Sequence, residues 1–113
     1  MHEFSLASEI IDIVLDSLRN AGKKQVNRIE LDIGELSGVE VPALDMALKS
    51  LMNHPALKNA KIIRHRIKGK AICLTCKNEF ELNDFFSVCP HCQGIYKDII
   101  SGREFNVRRL EVE

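Results

Sequence analysis

Residues 73–92 read CLTCKNEFELNDFFSVCPHC, two Cys-x-x-Cys pairs separated by twelve residues. Four thiolates in two close pairs surround one tetrahedral Zn(II), and the two-residue gap lets each pair form a knuckle whose backbone amides point at the sulfurs. Cys76 is followed by Lys77-Asn78 and Cys92 by Gln93-Gly94. Each knuckle thus carries, two positions after its second cysteine, a residue tolerant of the left-handed backbone region, which predicts that conformation at Asn78 and Gly94. Between the pairs, Phe80 and Leu82 alternate with Glu79 and Glu81, as in a short zinc-ribbon hairpin. A closed set of four thiolates leaves no open coordination position, so Cys73, Cys76, Cys89 and Cys92 read as ligands of a structural zinc. A thioredoxin-like dithiol would instead use one Cys-x-x-Cys at a helix start.

A chain of 113 residues fits one ordinary domain, or a small domain plus a metal-held appendage too small for a core of its own. Sixteen Lys and Arg balance sixteen Asp and Glu, and the aromatics are one Tyr and five Phe. Zero net charge and few stacking residues both count against nucleic acid as a partner. Apolar runs are too short for a transmembrane helix or a signal-peptide core, so no membrane association is expected. The four cysteines then belong in a reducing compartment, and the expected location is cytoplasmic.

Outside the cysteine module the hydrophobic period alternates between helix and strand. From Ala7 to Leu18 the apolar residues Ala7, Ile10, Ile11, Val14 and Leu18 recur at three- and four-residue steps, an amphipathic helix stopped near Asn20 to Gly22. Gln25 to Ile33 has period two, with Ile29, Leu31 and Ile33 on one side and Arg28, Glu30 and Asp32 on the other, a half-buried strand ended by Gly34. A second helix runs from Pro42, suited to a first helical position, through Leu44, Ala47, Leu48 and Leu51 until His54-Pro55 closes it. Lys61 to Lys68 is a strand with Ile63, His65 and Ile67 on one side and Arg64, Arg66 and Lys68 on the other. Glu104 to Glu113 is a strand whose apolar parity changes, Phe105 and Val107 against Leu110 and Val112, which a one-residue bulge at Arg108-Arg109 reconciles. The fold class is α+β: two helices packed on a three-stranded sheet, with an inserted four-cysteine zinc-ribbon module. The expected domains are 1–68 with 97–113, and the zinc module at 69–96, with Gly69 and Gly102 roughly marking the insertion.

The chain opens MHE. With His2 in second position, Met1 is expected to stay as the mature terminus. An α-amine near a pKa of about 7.7–8.0 and an imidazole near about 6.5 both offer lone pairs close to neutral pH. With the deprotonated amide of His2 they form fused five- and six-membered chelate rings, a planar nitrogen set suited to Ni(II) or Cu(II) rather than tetrahedral Zn(II). Glu3 is a candidate for the remaining position. The competing reading is a solvated terminus without a role.

MHE at the start, GELSGV at 34–39, CLTC and CPHC in the module, and the closing RRLEVE together resemble the HypA family, nickel metallochaperones of nickel-iron hydrogenase maturation. The similarity runs in order along essentially the whole chain. The resemblance implies that His2 is the essential nickel ligand, with the Met1 amine and Glu3 nearby, and that the four cysteines hold zinc. It also implies a HypB-type GTPase partner and delivery of nickel to the hydrogenase large-subunit precursor; some relatives also serve urease. The protein is expected to be a monomer or dimer and not an enzyme, since no nucleophile, phosphate loop or carboxylate pair has catalytic spacing.

Other polar positions have simpler readings. His91, inside CPHC, is a candidate accessory nickel ligand or an exposed knuckle residue; His65 shares a face with isoleucines; His54 lies in a turn. The basic face Arg64, Arg66 and Lys68, with Lys70 beyond, is a solvated strand face or a docking surface for an acidic partner. Glu35, in GELSGV, is a second position suited to face a partner. The alternative function is a zinc-ribbon module for protein or RNA interaction in which His2 is incidental.

Overall fold

The computed structural model describes residues 3–113, which form α1 (Glu3–Asn20), β1 (Val26–Gly34), α2 (Val41–Leu51), β2 (Lys61–Ile67), β3 (Lys70–Cys73), β4 (Glu79–Glu81), β5 (Lys97–Ser101) and β6 (Phe105–Val112). One three-stranded sheet has the order β2-β1-β6 and a second the order β4-β3-β5. The α+β class, with two helices, a three-stranded sheet and a clustered four-cysteine insertion, is the expected one. Met1 and His2 lie outside the described residues. No described helix is long and apolar enough to cross a membrane.

The chain forms two compact units: one takes residues up to Leu31 with Val39–Arg64 and Asn106–Glu113, the other Asp32–Gly38 with His65–Phe105. In the first, α1 packs against α2. The five apolar positions read from the helical period, Ala7, Ile10, Ile11, Val14 and Leu18, are all buried. α2 buries Leu44, Ala47 and Leu48, with Pro42 in its first turn, where a missing N–H costs no helical bond. Its N-cap residue, Glu40, supplies no side-chain cap; instead the Glu40 N–H donates to the Glu3 carboxylate at 3.2 Å. The helix ends at Leu51, before His54-Pro55, because the chain turns there: the Ala56 N–H donates to His54 Nδ1 at 3.0 Å and the Leu57 N–H to the His54 carbonyl at 2.9 Å.

Two strand faces differ from the period-two reading. Ile29, Leu31 and Ile33 are buried as expected, but Glu30, on the polar side, is only 9% exposed. β1 is the central strand, and Arg109 of its neighbour β6 reaches Glu30 at 3.9 Å. On β2, His65 and Ile67 are half-buried, yet Ile63 is 37% exposed, and the opposite side, through Arg64, meets Asp45 of α2 at 2.9 Å. Adjacent Ile62 and Ile63 put an apolar residue on each face of an edge strand, so alternation alone cannot choose between them. Along β6, Phe105, Val107, Leu110 and Val112 are all half-buried, and the burial changes phase at the exposed pair Arg108-Arg109.

In the second unit β3 pairs antiparallel with β4, Ala71 opposite Phe80, and with β5, Ala71 opposite Ile99 and Cys73 opposite Lys97. Its core is Leu36, Ala71, Cys73, Phe80, Leu82 and Cys89, with Cys76 and Ile99 against them. Three backbone segments meet beneath this core. The Gly34 N–H donates to the Glu104 carbonyl at 2.7 Å, the Leu36 N–H to the Gly102 carbonyl at 2.7 Å, and the Glu35 N–H to the Ile67 carbonyl at 2.9 Å. A Cβ on Gly34 would strike the Gly102 carbonyl, and one on Gly102 would lie 2.6 Å from the Gly69 Cα, with Gly102 itself at φ +108°. Gly102→Ala is therefore expected to lower the unfolding free energy by about 2–4 kcal/mol, combining a forbidden dihedral with a backbone collision. Urea denaturation of the metal-loaded protein measures it, and an unchanged midpoint would remove this junction as a constraint on the fold.

Candidate metal centre

Cys73 ends β3, Cys76 lies in the turn that follows, Cys89 directly precedes a second turn, and Cys92 closes that knuckle. Cys73 and Cys89 are buried, Cys76 is half-buried and Cys92 is exposed. All four Sγ atoms lie within 4.8 Å of one another, Cys73 to Cys92 at 3.5 Å and Cys76 to Cys89 at 3.7 Å. Tetrahedral Zn(II), with Zn–S near 2.3 Å, needs sulfurs roughly 3.8 Å apart, so this set fits such an ion with little movement.

The two knuckles repeat one hydrogen-bond pattern. The Cys73 N–H donates to the Asn78 carbonyl at 2.9 Å and the Lys77 N–H donates to the Cys73 carbonyl at 2.9 Å; in the second knuckle the Cys89 N–H donates to the Gly94 carbonyl at 3.1 Å and the Gln93 N–H to the Cys89 carbonyl at 2.7 Å. Amides point at the sulfurs, as the spacing predicts: Cys76 N–H to Cys73 Sγ at 3.5 Å, His91 N–H to Cys89 Sγ at 3.4 Å and Gly94 N–H to Cys92 Sγ at 3.4 Å. The left-handed residues, however, are Lys77 at φ 66° and Gln93 at φ 61°, one place earlier than expected. Closing each knuckle requires the turn immediately after the second cysteine. Asn78 and Gly94 serve otherwise: the Asn78 side-chain amide donates to Cys76 Sγ at 3.4 Å, and a Cβ on Gly94 would come within 3.2 Å of Cys92 Sγ and Thr75 Oγ1. The thiolate donor role of Asn78 was not read from the sequence, where its type suggested only a turn.

Four sulfurs this close cannot all be anionic without a cation between them. The Cys76 N–H, helped against burial by the Thr75 N–H and the neighbouring sulfurs, lowers the Cys73 thiol to about 6. The Asn78 N–H lowers Cys76 in the same direction. The Gly94 N–H favours the Cys92 thiolate, but the Cys73 sulfur, burial and the sulfurs of Cys76 and Cys89 outweigh it and push Cys92 up to about 12. Without metal, Cys92 therefore holds its proton at neutral pH, and loading must displace it. Because raised proton concentration competes for that site, zinc affinity is expected to fall by about tenfold or more per pH unit from pH 8 to 6, and more steeply below about 6, where Cys73 also protonates. Competition with a chromogenic chelator across that range measures the slope; a flat profile would mean that no thiol proton is displaced.

The other candidate residues are dispersed. Among the described residues the clustered metal-ligand side chains are the four cysteines; His91 is exposed and enters the centre through its backbone N–H alone. Glu3 sits at the start of α2 through its bond to Glu40. Glu35 lies 3.8 Å from Arg66, and His54 Nδ1 accepts a backbone amide. Met1 and His2, the remaining nickel candidates, lie outside the described residues.

A family profile described as "Hydrogenase/urease nickel incorporation, metallochaperone, hypA" matches residues 1–112. The chain is 40% identical to the hydrogenase maturation factor HypA of Parabacteroides distasonis, over 100% of this chain and 98% of that protein. It is 34% identical to the HypA of Geotalea uraniireducens, over the full length of both. The solution structure of the Ni metallochaperone HypA from Helicobacter pylori superposes with a TM-score of 0.69 at 24% identity, covering 99% of this chain and 97% of that one. A second HypA solution structure gives 0.72 at 23%, covering 100% and 97%. At these identities the structures speak for the fold, and the profile and the sequence relatives for the family. The chain belongs to the HypA family of metallochaperones, maturation factors that incorporate nickel for hydrogenase and are not enzymes.

Proposed function

We propose that this protein binds Ni(II) through the Met1 α-amine and the backbone amide and imidazole of His2, with Glu3 beside them, and delivers it to a hydrogenase large-subunit precursor. Zn(II) on Cys73, Cys76, Cys89 and Cys92 acts as a structural ion, a HypB-type GTPase is the partner in delivery, and the process is cytoplasmic. Urease is a second client within the same scheme, and His91 an accessory ligand. The observation that carries this reading is the match to a nickel-incorporation family along residues 1–112.

The chemistry supports it. A chaperone must hold its cargo specifically and also release it, which a small exposed chelate does better than a closed cage. Glu3, covalently next to His2, is anchored by the Glu40 N–H, which supports a chelate that starts from a fixed point on the fold. The four-sulfur centre, closed and fitted to a tetrahedral ion, is poorly matched to the planar nitrogen set that nickel favours. Nickel K-edge absorption on the zinc-loaded protein tests the assignment. A nitrogen- and oxygen-dominated first shell is expected, and sulfur scattering from the cysteines would sink it.

A further inference from the structure

Between Asp45 and Glu79 the chain carries eight Lys and Arg residues and no carboxylate, although its net charge is zero. β2 lies within that stretch and is a sheet edge, hydrogen-bonded to β1 on one side only. An edge strand presents unpaired backbone donors and acceptors, and a row of cations is a common protection against pairing with another copy of itself. The same cations favour an acidic strand.

Within the first compact unit, the corner between α2 and this edge is an open groove of about 610 Å³, lined by Lys49, Met52, Leu57, Lys58, Ile62 and Arg64 among others. Its floor is apolar, with Leu57 fully buried and Met52 and Ile62 half-buried. Its rim is cationic, with Lys49 and Lys58 exposed, and Lys61, also exposed, alternates with the groove-lining Ile62 onto the other face of β2. Asp45, the carboxylate lining the groove, is held by Arg64 Nη1 at 2.9 Å.

We propose that the outer edge of β2 at Lys61–Arg64 is a docking site for an acidic extended segment of a partner protein. The segment pairs with the β2 backbone as an added strand and turns its alternate apolar side chains into the groove beside α2. Strand addition places the new backbone about 4.8 Å outward from β2, with successive side chains on opposite faces. Apolar residues on the α2 side then meet Met52, Leu57 and Ile62, while the alternating carboxylates lie on the opposite face with Lys61 and those at the ends of the segment reach toward Lys49 and Lys58 on the rim. Another copy of β2 is disfavoured as occupant, because pairing would set Lys and Arg against Lys and Arg. RNA is disfavoured because no aromatic side chain lines the groove to stack a base. The site is separate from the nickel and zinc residues, so its test stands apart from theirs.

The test is an amide NMR titration of the full-length, zinc-loaded, nickel-free protein with an acetylated, amidated heptapeptide of alternating glutamate and valine. Shift changes centred on Lys61–Arg64, with slowed hydrogen exchange there, are expected. The double substitution Lys58→Glu and Lys61→Glu, at two exposed positions, should weaken binding by about tenfold or more. The same peptide N-methylated at every residue keeps its charge but cannot pair, and should not bind. Equal binding of the N-methylated peptide, or of a lysine-valine counterpart, would overturn the proposal. So would tighter binding of a single-stranded oligonucleotide to the same residues, or the absence of shifts at β2.

Discussion

Stripping the metal from the four-cysteine centre unfolds β3, β4 and β5 while α1 and α2 keep their amide protection. The expectation follows from what this unit has to bury. Its buried apolar side chains are Leu36, Ala71, Phe80 and Leu82, and two further members of the core, Cys73 and Cys89, belong to the four-sulfur cluster. Phe85, Phe86, Val88, Ile95 and Tyr96 are exposed and add nothing to the core. β4 has three residues and β5 five, too short to persist on backbone pairing alone. Metal binding in isolated zinc-finger peptides is worth on the order of 10–16 kcal/mol, well above the stability of an ordinary small domain. Without the ion, four thiols remain: the Cys76 N–H holds Cys73 down to about 6, while Cys92, despite the Gly94 N–H, is pushed up to about 12 by the Cys73 sulfur, burial and the other two sulfurs. Hydrogen exchange followed residue by residue after chelation reads the result. Retained protection at Ala71 and Phe80 would show that the ion is a passenger, and simultaneous loss in α1 and α2 would show that the two units fold as one. Cys89→Ala, which removes a buried ligand, is expected to reproduce the chelated state.

Nickel binding at the amino terminus is expected to fall by at least 100-fold, about 2.7 kcal/mol, when His2 is changed to Ala. Acetylating the Met1 amine should do comparable damage with every side chain intact, because the acetylated nitrogen no longer offers an amine lone pair to the chelate. That second form is the sharper test: an imidazole acting alone tolerates acetylation, and an amine-amide-imidazole set does not. Isothermal titration of zinc-loaded protein with Ni(II), for wild type and both variants, measures the effect. Undiminished affinity in the acetylated protein would exclude the terminal amine as a ligand, and undiminished affinity in His2→Ala would exclude the imidazole. Glu3→Gln separates ligation from positioning, since the amide oxygen still accepts the Glu40 N–H while the charge is lost.

Local chemistry was legible where one residue type answers one local requirement. The cysteine spacing implied a tetrahedral set, and the four sulfurs do converge within 4.8 Å. The helical period of α1 named its buried positions, because a 3.6-residue repeat admits one buried stripe and Ala7, Ile10, Ile11, Val14 and Leu18 occupy it. The parity change at Arg108-Arg109 was equally readable, as a shift of one residue exchanges the faces of a strand. Less legible was β5: Lys97–Ser101 has polar and apolar residues on both faces, and it is a strand because β3 offers it a pairing edge. The left-handed residues of the knuckles fall one place earlier than the sequence suggests, since Lys77 and Gln93 carry no intrinsic preference and take that conformation where their N–H groups close each turn on the carbonyls of Cys73 and Cys89.

Sequence alone determined the four-cysteine cluster, the helix faces and the α+β class, all of which depend on short-range periodicity and donor chemistry. Tertiary structure decided which residues two distant segments share. That Glu30 is buried reflects a neighbouring strand whose Arg109 lies against it, that Glu3 caps α2 follows from the packing of two helices 37 positions apart in their contact residues, and that Gly34 and Gly102 must be glycine follows from two backbones crossing. None of these is periodic along the chain. Each is set by where the chain returns to itself, and that is known only once the sheet order is known.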